Sequence, residues 1–324
     1  MKITVETNQN IIFFETLLSS NNNKKYHPLG LKIAKEFKDV RGLKAFKQFH
    51  KAIQEKRIPS HPWQYIFLSI NLNNNLEPKS LSPKDGFGPK RRKLYMESIY
   101  PIVSKIHTES NFDERYSEKV LPGYEIVVRD IQKLFNKENP GKYLKSFWKE
   151  KEKIKLLFIP NPLRVGGGSS VSRKTKFYSI TGTVETDEGV IFKPSHMISN
   201  LFHEYSHSFF KRQLFSRKEL VKKNKEFCNT LSKRIEGDSR EAFKNYGTST
   251  VYFEETFIRA VQLFLSKQFF EEKTGESMKN KITELLHKRK EEGFIYIDKF
   301  YNLLESSENP IVSYMKVVED IVKN

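Results

Sequence analysis

Five residues, His203-Glu204-Tyr205-Ser206-His207, have the types and the spacing to hold a metal ion and move a proton beside it. Residues four apart share one face of a helix, so both imidazoles can reach a single zinc ion. Glu204 sits a fraction of a turn away, where it can reach a water activated by the metal without being a ligand. That is the placement of a general base for hydrolysis. The structural alternative is two core histidines satisfied by hydrogen bonds.

The surrounding segment has the pattern of a helix. Ser195, after Pro194, suits an N-cap. Met197, Ile198, Leu201, Phe202, Tyr205 and Phe209 form an apolar stripe, and Ser199, His203 and His207 form another. His196 lies one turn further back. As a fourth protein ligand it would close the position that a catalytic zinc keeps open for water, so it reads as structural.

Two histidines do not complete a zinc site. The metzincin pattern supplies a third histidine after a glycine, but those two positions here are Gln213 and Phe210. The other common solution is a glutamate from a downstream helix, and Val251–Leu265 offers Glu254 and Glu255 in a strongly apolar run. A carboxylate buried there needs a partner. Neighbours in a helix point about 100° apart, so only one can face the metal. Glu254 shares its stripe with Phe257, Ile258 and Val261, and Glu255 with Tyr252, Arg259 and Gln262. A ligand can project from an apolar stripe into a buried site, so periodicity leaves both open. The alternative is a surface pair of acids beside Arg259.

With H-E-x-x-H followed by a helix carrying E-x-x-x-R-A, the chain resembles a gluzincin-type zinc metallopeptidase. More narrowly, it resembles an uncharacterised bacterial group of zincin-like proteins defined only as a domain of unknown function. The stretches YPIVSKIHTESNFDERYSE, YLKSFWKEK and LLFIPNPLRVGGGSS extend that resemblance over most of the chain. It implies His203, His207 and Glu255 as ligands of one zinc per chain, and Glu204 as the base. The departure is spacing: from His207 to Glu255 is 255 − 207 = 48 positions, longer than the thermolysin-like arrangement. A helical-hairpin insertion, KELVKKNKEFCNTLSKRIEGDSREAF, would account for it.

A chain of 324 residues with 37% hydrophobic and 13% aromatic content can bury a large core in one or two domains. Cys228 is the only cysteine, which excludes an intrachain disulfide, and it reads as structural. No run approaches the roughly 18 apolar residues of a membrane span. The first residues lack a signal-peptide layout, because Ile11–Leu18 is short and interrupted by Glu15. Since many relatives of such enzymes are exported, the expectation is a secreted or cell-envelope protein whose leader is absent here, with a cytoplasmic enzyme as the alternative.

The net charge of +18 supports a rival reading, binding of nucleic acid or anionic surfaces. The positive residues are spread, however, and the one compact cluster is Lys90-Arg91-Arg92-Lys93. Lys218, Lys222, Lys223 and Lys225 suit a solvated helix face. Neither an RNA-recognition motif nor a zinc finger is present, so no specific nucleic-acid partner is expected. A preference for acidic substrates or surfaces follows more directly from the charge.

These pieces predict an α+β, predominantly helical protein. Residues 1–153 form a helical N-terminal region: Ile11–Ser20, Leu31–Glu55 broken by Gly42, Trp63–Ile70, Arg91–His107 and Asp113–Asn136. Asn71–Gly88 is a loop and the expected mobile segment. Residues 154–324 form a zincin-like catalytic region, with a sheet over 154–193 packed on an active-site helix at 195–214 and a third-ligand helix at 250–270. Within the sheet, Ile154–Pro160, Phe177–Glu185 and Gly189–Phe192 are strands, and Gly166–Ser170 is a flexible turn. An edge strand between Phe177 and Phe192 would hold an extended peptide substrate by main-chain hydrogen bonds. Glu204 would take a proton from the attacking water and pass it to the leaving amine. Tyr246 and Tyr252 are candidate oxyanion donors, or core tyrosines. The expected activity is that of a zinc peptidase. The alternatives are a degenerate zincin acting as a binding protein and a basic surface-binding module.

Overall fold

The computed structural model describes residues 1–18, 25–79, 88–150, 152–235, 241–246, 248–306 and 309–323. The chain is mostly helical (69%) with one small curled sheet of mixed direction, an α+β architecture. It divides into two compact units that interleave along the sequence. One comprises Lys2–Glu138 and Lys153–Met197, the other Met1, Asn139–Glu152 and Ile198–Asn324. The sheet strands therefore belong with the N-terminal helices.

The first unit opens with β1 (Ile3–Val5), which the sequence pattern does not announce, and α1 (Gln9–Leu18). Ile11, Ile12, Phe13, Phe14 and Leu17 bury α1 on every side, and Asn8 Oδ1 accepts from Ile11 N at 3.0 Å to close its first turn. The helices α2 (Pro28–Glu36) and α4 (Pro62–Asn71) share one start signal: proline at the first position and a histidine, His27 or His61, capping through its ring nitrogen. Between them a 3-10 turn over Lys38–Gly42 leads into α3 (Lys44–Gln54). Much of the expected mobile loop, residues 80–87, lies outside the described residues, as does the end of the expected first helix at Ser20.

Two long helical runs follow, each with a wide turn inside. In the first, α5 (Pro89–Leu94) passes through a π-helical turn, Tyr95–Ile99, into α6 (Tyr100–Glu109). In the second, α7 (Phe112–Arg115) passes through another, Tyr116–Val120, into α8 (Leu121–Glu138). The cause is local. Pro101 and Pro122 lack an N–H, and their rings would strike the carbonyl four residues back. The residue before each proline bonds five back instead, Tyr100 N to Tyr95 O and Leu121 N to Tyr116 O.

The sheet contains β2 (Lys155–Val165), β3 (Gly168–Arg173), β4 (Lys176–Thr186) and β5 (Gly189–Ile191) in the order β1-β2-β4-β3, with β5 on the far end of β4. β1, β2 and β4 are parallel neighbours, whereas β3 and β5 pair antiparallel with β4. The glycine run expected to be a flexible turn is a crossing, and its last three residues, Gly168–Ser170, begin strand β3. To leave β2 and reach β3, the chain must pass over β4 at Gly182. A Cβ there would sit 2.7 Å from Arg164 O and 2.8 Å from Gly166 O, so only glycine fits. Gly166 and Gly167 take positive φ to make the crossing. The outer edge of β1 is closed by Gln132, which accepts from Val5 N at 2.8 Å and donates to Ile3 O at 3.1 Å.

Among the described residues the regular elements of the second unit are all helices: α9 (Gly141–Trp148), α10 (Pro194–Phe215, from Ile198 onward), α11 (Lys218–Ile235), α12 (Glu241–Tyr246), α13 (Ser249–Thr274), α14 (Lys279–Glu291), α15 (Ile297–Ser306) and α16 (Pro310–Lys323). α13 is its axis. Thr248 caps its start and Gly275, at φ +71°, ends it in the left-handed conformation. Phe210, Phe257, Phe300 and Tyr314 pack ring against ring beside it. The expected insertion is α11 and α12, with residues 236–240 of its turn outside the described residues. Cys228 is buried on α11, its thiol donating to Asn224 Oδ1, and burial pushes its pKa up. Lys218, Lys222, Lys223 and Lys225 are exposed, with Lys223 paired to Glu319 at 3.0 Å. Among the described residues no helix is long and apolar enough to cross a membrane.

Candidate metal centre

α10 and α13 run antiparallel, joined by polar side chains along the seam. At one end Gln262 Nε2 donates to Ser199 Oγ at 3.1 Å, and Ser266 Oγ lies 3.2 Å from the same oxygen. At the other end His203 and His207 meet Glu254 and Glu255. Much of this seam is buried, so its polar groups need partners, and they find them across it.

The structure brings His203, His207 and Glu255 into one group that could hold a metal ion. His203 Nε2 and His207 Nε2 are 3.2 Å apart. Glu255 Oε1 is 3.4 Å from His203 Nε2, and Glu255 Oε2 is 3.2 Å from His207 Nε2. Two ligand atoms bound to a tetrahedral zinc stand about 3.3 Å apart, given metal–ligand distances near 2.0–2.1 Å. The two nitrogens have that spacing, and each has a different Glu255 oxygen at a similar distance, so the donor set suits a metal ion such as zinc. His203 and Glu255 are almost fully buried, at 9% and 6% exposure.

The adjacent glutamates separate cleanly. Glu255 faces the two Nε2 atoms, whereas Glu254 Oε1 lies 2.9 Å from His207 Nδ1, the far side of that ring. A carboxylate there fixes the tautomer and orientation of a metal-binding histidine and strengthens it as a donor. Lys211, one turn after His207, holds the same Glu254 oxygen at 3.2 Å. Its i+4 spacing is visible in the sequence, but its partner is not.

Without a metal, the cluster is organised around one proton. Burial drives His203 down to about 3, against the pull of Glu255. Burial also disfavours charge on His207, but hydrogen bonds to Glu254 and Glu255 outweigh it and lift that imidazole to about 10. Burial works to raise both carboxyls. The histidines outweigh it for Glu255, and His207 with Lys211 outweighs it for Glu254, so both stay below the ordinary range. The proton thus rests on His207, between two carboxylates, where a divalent cation would displace it.

Glu204 is buried at 6% exposure on α10, next to His203. Ser206 accepts from Trp148 Nε1 at 3.3 Å, and Trp148 stacks on Phe209, with ring centroids 5.9 Å apart. This indole fixes the helix between the two histidines, and no motif announces it. His196 is not part of the ligand group; burial lowers its pKa, and its Nε2 is buried without a hydrogen-bond partner.

The two tyrosines differ. Tyr252 donates to Gly293 O at 2.9 Å and accepts from Ile295 N at 3.2 Å, which makes it a core strut. Tyr246 is half-buried and accepts from Arg259 Nη2 at 3.2 Å. Burial and the nearby Glu255 charge raise its hydroxyl's pKa.

Fold and site together define an α+β protein with a buried two-histidine, one-carboxylate group on a pair of antiparallel helices. The chain belongs to DUF4932, a domain of unknown function, whose family model matches residues 93–319. All of the candidate site residues lie within that match. No curated protein and no solved structure matches the chain.

Proposed function

We propose that this protein is a zinc-dependent hydrolase of zincin type, and that its substrates are peptides. The observation that carries the reading is the convergence of His203 Nε2 and His207 Nε2, 3.2 Å apart, on the Glu255 carboxylate, whose two oxygens lie 3.4 and 3.2 Å from them. Zinc held there would supply Lewis acidity toward a substrate carbonyl and would acidify water at the position left open by three protein ligands.

The chain's own residues do the rest. Glu254 holds the His207 ring so that its Nε2 faces inward. Glu204 follows His203 directly, about 100° around the helix, beside the face the two ligands share rather than on it. It is the base that accepts a proton from water and returns it to the leaving amine. Burial excludes bulk water from this exchange and strengthens each charge interaction. For an extended substrate, β4 is already paired on both sides over Phe177–Thr181, by β2 and by β3. Further along, β5 pairs antiparallel with β4 over Val184–Thr186.

The test is Glu204→Gln. The variant should keep its zinc and its melting temperature while cleavage of an unstructured protein falls by about 10²–10⁴-fold, the usual worth of a positioned acid–base group. A Glu204→Gln variant as active as wild type would end the proposed mechanism.

A further inference from the structure

Arg259 is the one cation whose guanidinium touches a candidate ligand among the described residues, and its surroundings are unusually fixed. Arg259 Nη2 lies 2.9 Å from Glu255 Oε1, and the same nitrogen donates to the Tyr246 hydroxyl at 3.2 Å. One guanidinium nitrogen thus serves both an ion pair and a hydrogen bond. The plane rests over the Phe294 ring, with Cζ 4.6 Å from its centroid. Phe294 in turn stacks on Tyr252, planes 4° apart, and Tyr252 is tied to the main chain at Gly293 and Ile295. The guanidinium cannot follow a swinging carboxylate, because ring, hydroxyl and main chain hold it in place.

Glu255 has two oxygens and the site uses them unequally. Oε1 is ion-paired to the arginine and lies 3.4 Å from His203 Nε2, whereas Oε2 lies closer to a histidine, 3.2 Å from His207 Nε2, and is not the oxygen that the arginine pairs with. A metal-binding carboxylate that is free to turn can offer both oxygens, and a second oxygen would fill coordination space that hydrolysis needs for water. An arginine on a metal ligand is otherwise counterproductive, since a neighbouring cation weakens the carboxylate as a donor. Its placement is intelligible if denticity is what it controls.

We propose that Arg259 is a positioning residue that reserves Oε1 of Glu255, leaving Oε2 as the single oxygen with which Glu255 holds a metal. This rests on the zinc reading above. The arginine's fork matters as much as its charge: lysine, a point charge, could pair with Glu255 or with Tyr246 but would not hold both in one plane.

The experiment loads the whole chain with cobalt(II), whose visible absorption reports coordination number, and records the thermal melt of each variant without metal. Wild type should give the intense spectrum of a four-coordinate ion. Arg259→Met should bind cobalt at the same stoichiometry with a severalfold weaker, five-coordinate spectrum, as Glu255 closes onto the ion with both oxygens. Arg259→Lys should fall between the two. Tyr246→Phe, which removes one hold without a change of shape, should shift in the same direction by less, and it keeps the test valid if Arg259→Met fails to fold. Wild-type spectra in Arg259→Met, or in Tyr246→Phe where the former does not fold, would overturn the role of Arg259 and leave the metal reading standing. Wild type that takes up no cobalt would overturn both.

Discussion

Each of the two compact units buries a glutamate against an arginine, and the two pairs are put to different use. In the unit with the sheet, Glu15 Oε1 accepts from Arg164 Nη2 at 2.6 Å and from Asn161 Nδ2 at 3.1 Å, while Arg164 Nη1 donates to Ser169 Oγ at 3.1 Å. Donors meet acceptors, and the cluster needs nothing more. In the helical unit, Glu255 meets Arg259 on one side only. On the other, two imidazole nitrogens converge on its carboxylate within 3.4 Å. Neutral imidazoles and a carboxylate that aim lone pairs at one point are stable only with a proton or a cation among them. The contrast teaches which buried charges are structural: those whose hydrogen bonds close among themselves.

The largest effects should break the two clusters in different ways. His203→Ala should abolish the roughly one zinc per chain expected in wild type, read by metal analysis of protein purified without chelator. Unchanged zinc in that variant would mean the converging group is not the site. Glu15→Ala should leave zinc content alone and cost about 3–5 kcal/mol of stability in a denaturant titration, because it strands Arg164. If it also removed zinc, the two clusters could not be treated as independent.

A smaller effect sharpens the comparison inside the metal site. Glu254→Gln keeps the shape of the group behind His207 but removes its charge, so zinc affinity should fall about 10–100-fold with the ion still bound in stoichiometric amounts. A loss as complete as that of Glu255→Ala would make Glu254 the ligand. The smallest signal is in pH. His207 carries its proton up to about 10 in the metal-free protein, so at neutral pH zinc must expel it. Affinity should rise with pH by close to tenfold per unit below that value, with about one proton released per ion. Calorimetry in buffers of different ionisation enthalpy would count that proton; a count of zero at pH 7 would contradict the protonated pair.

Part of this was legible in the chain alone. Periodicity placed α1, α4, α10 and α13 to within a few residues, because their apolar spacing has no other regular solution. It missed β1, whose three residues are too few for a pattern, and β3, whose Gly-Ser-Ser start resembles a turn. It placed neither π-helical turn, although Pro101 and Pro122 were there to require an adjustment.

By itself the sequence singled out the two histidines as candidate ligands, the glutamate between them as candidate base and the want of a carboxylate from a later helix, since these follow from spacing along one helix. Spacing alone left Glu254 and Glu255 both open, and it was the resemblance that selected Glu255. Both are compatible with a buried helix, and the choice depends on the rotation of α13 against α10, which is set by packing far from the site. Tertiary structure alone turned Glu254 toward the back of His207, brought Lys211 to Glu254, and built the cage of Tyr246, Phe294 and Tyr252 around Arg259. Local spacing fixes what one helix can present. Which groups on two helices meet is decided by how their apolar faces fit, and that fit is a property of the whole core.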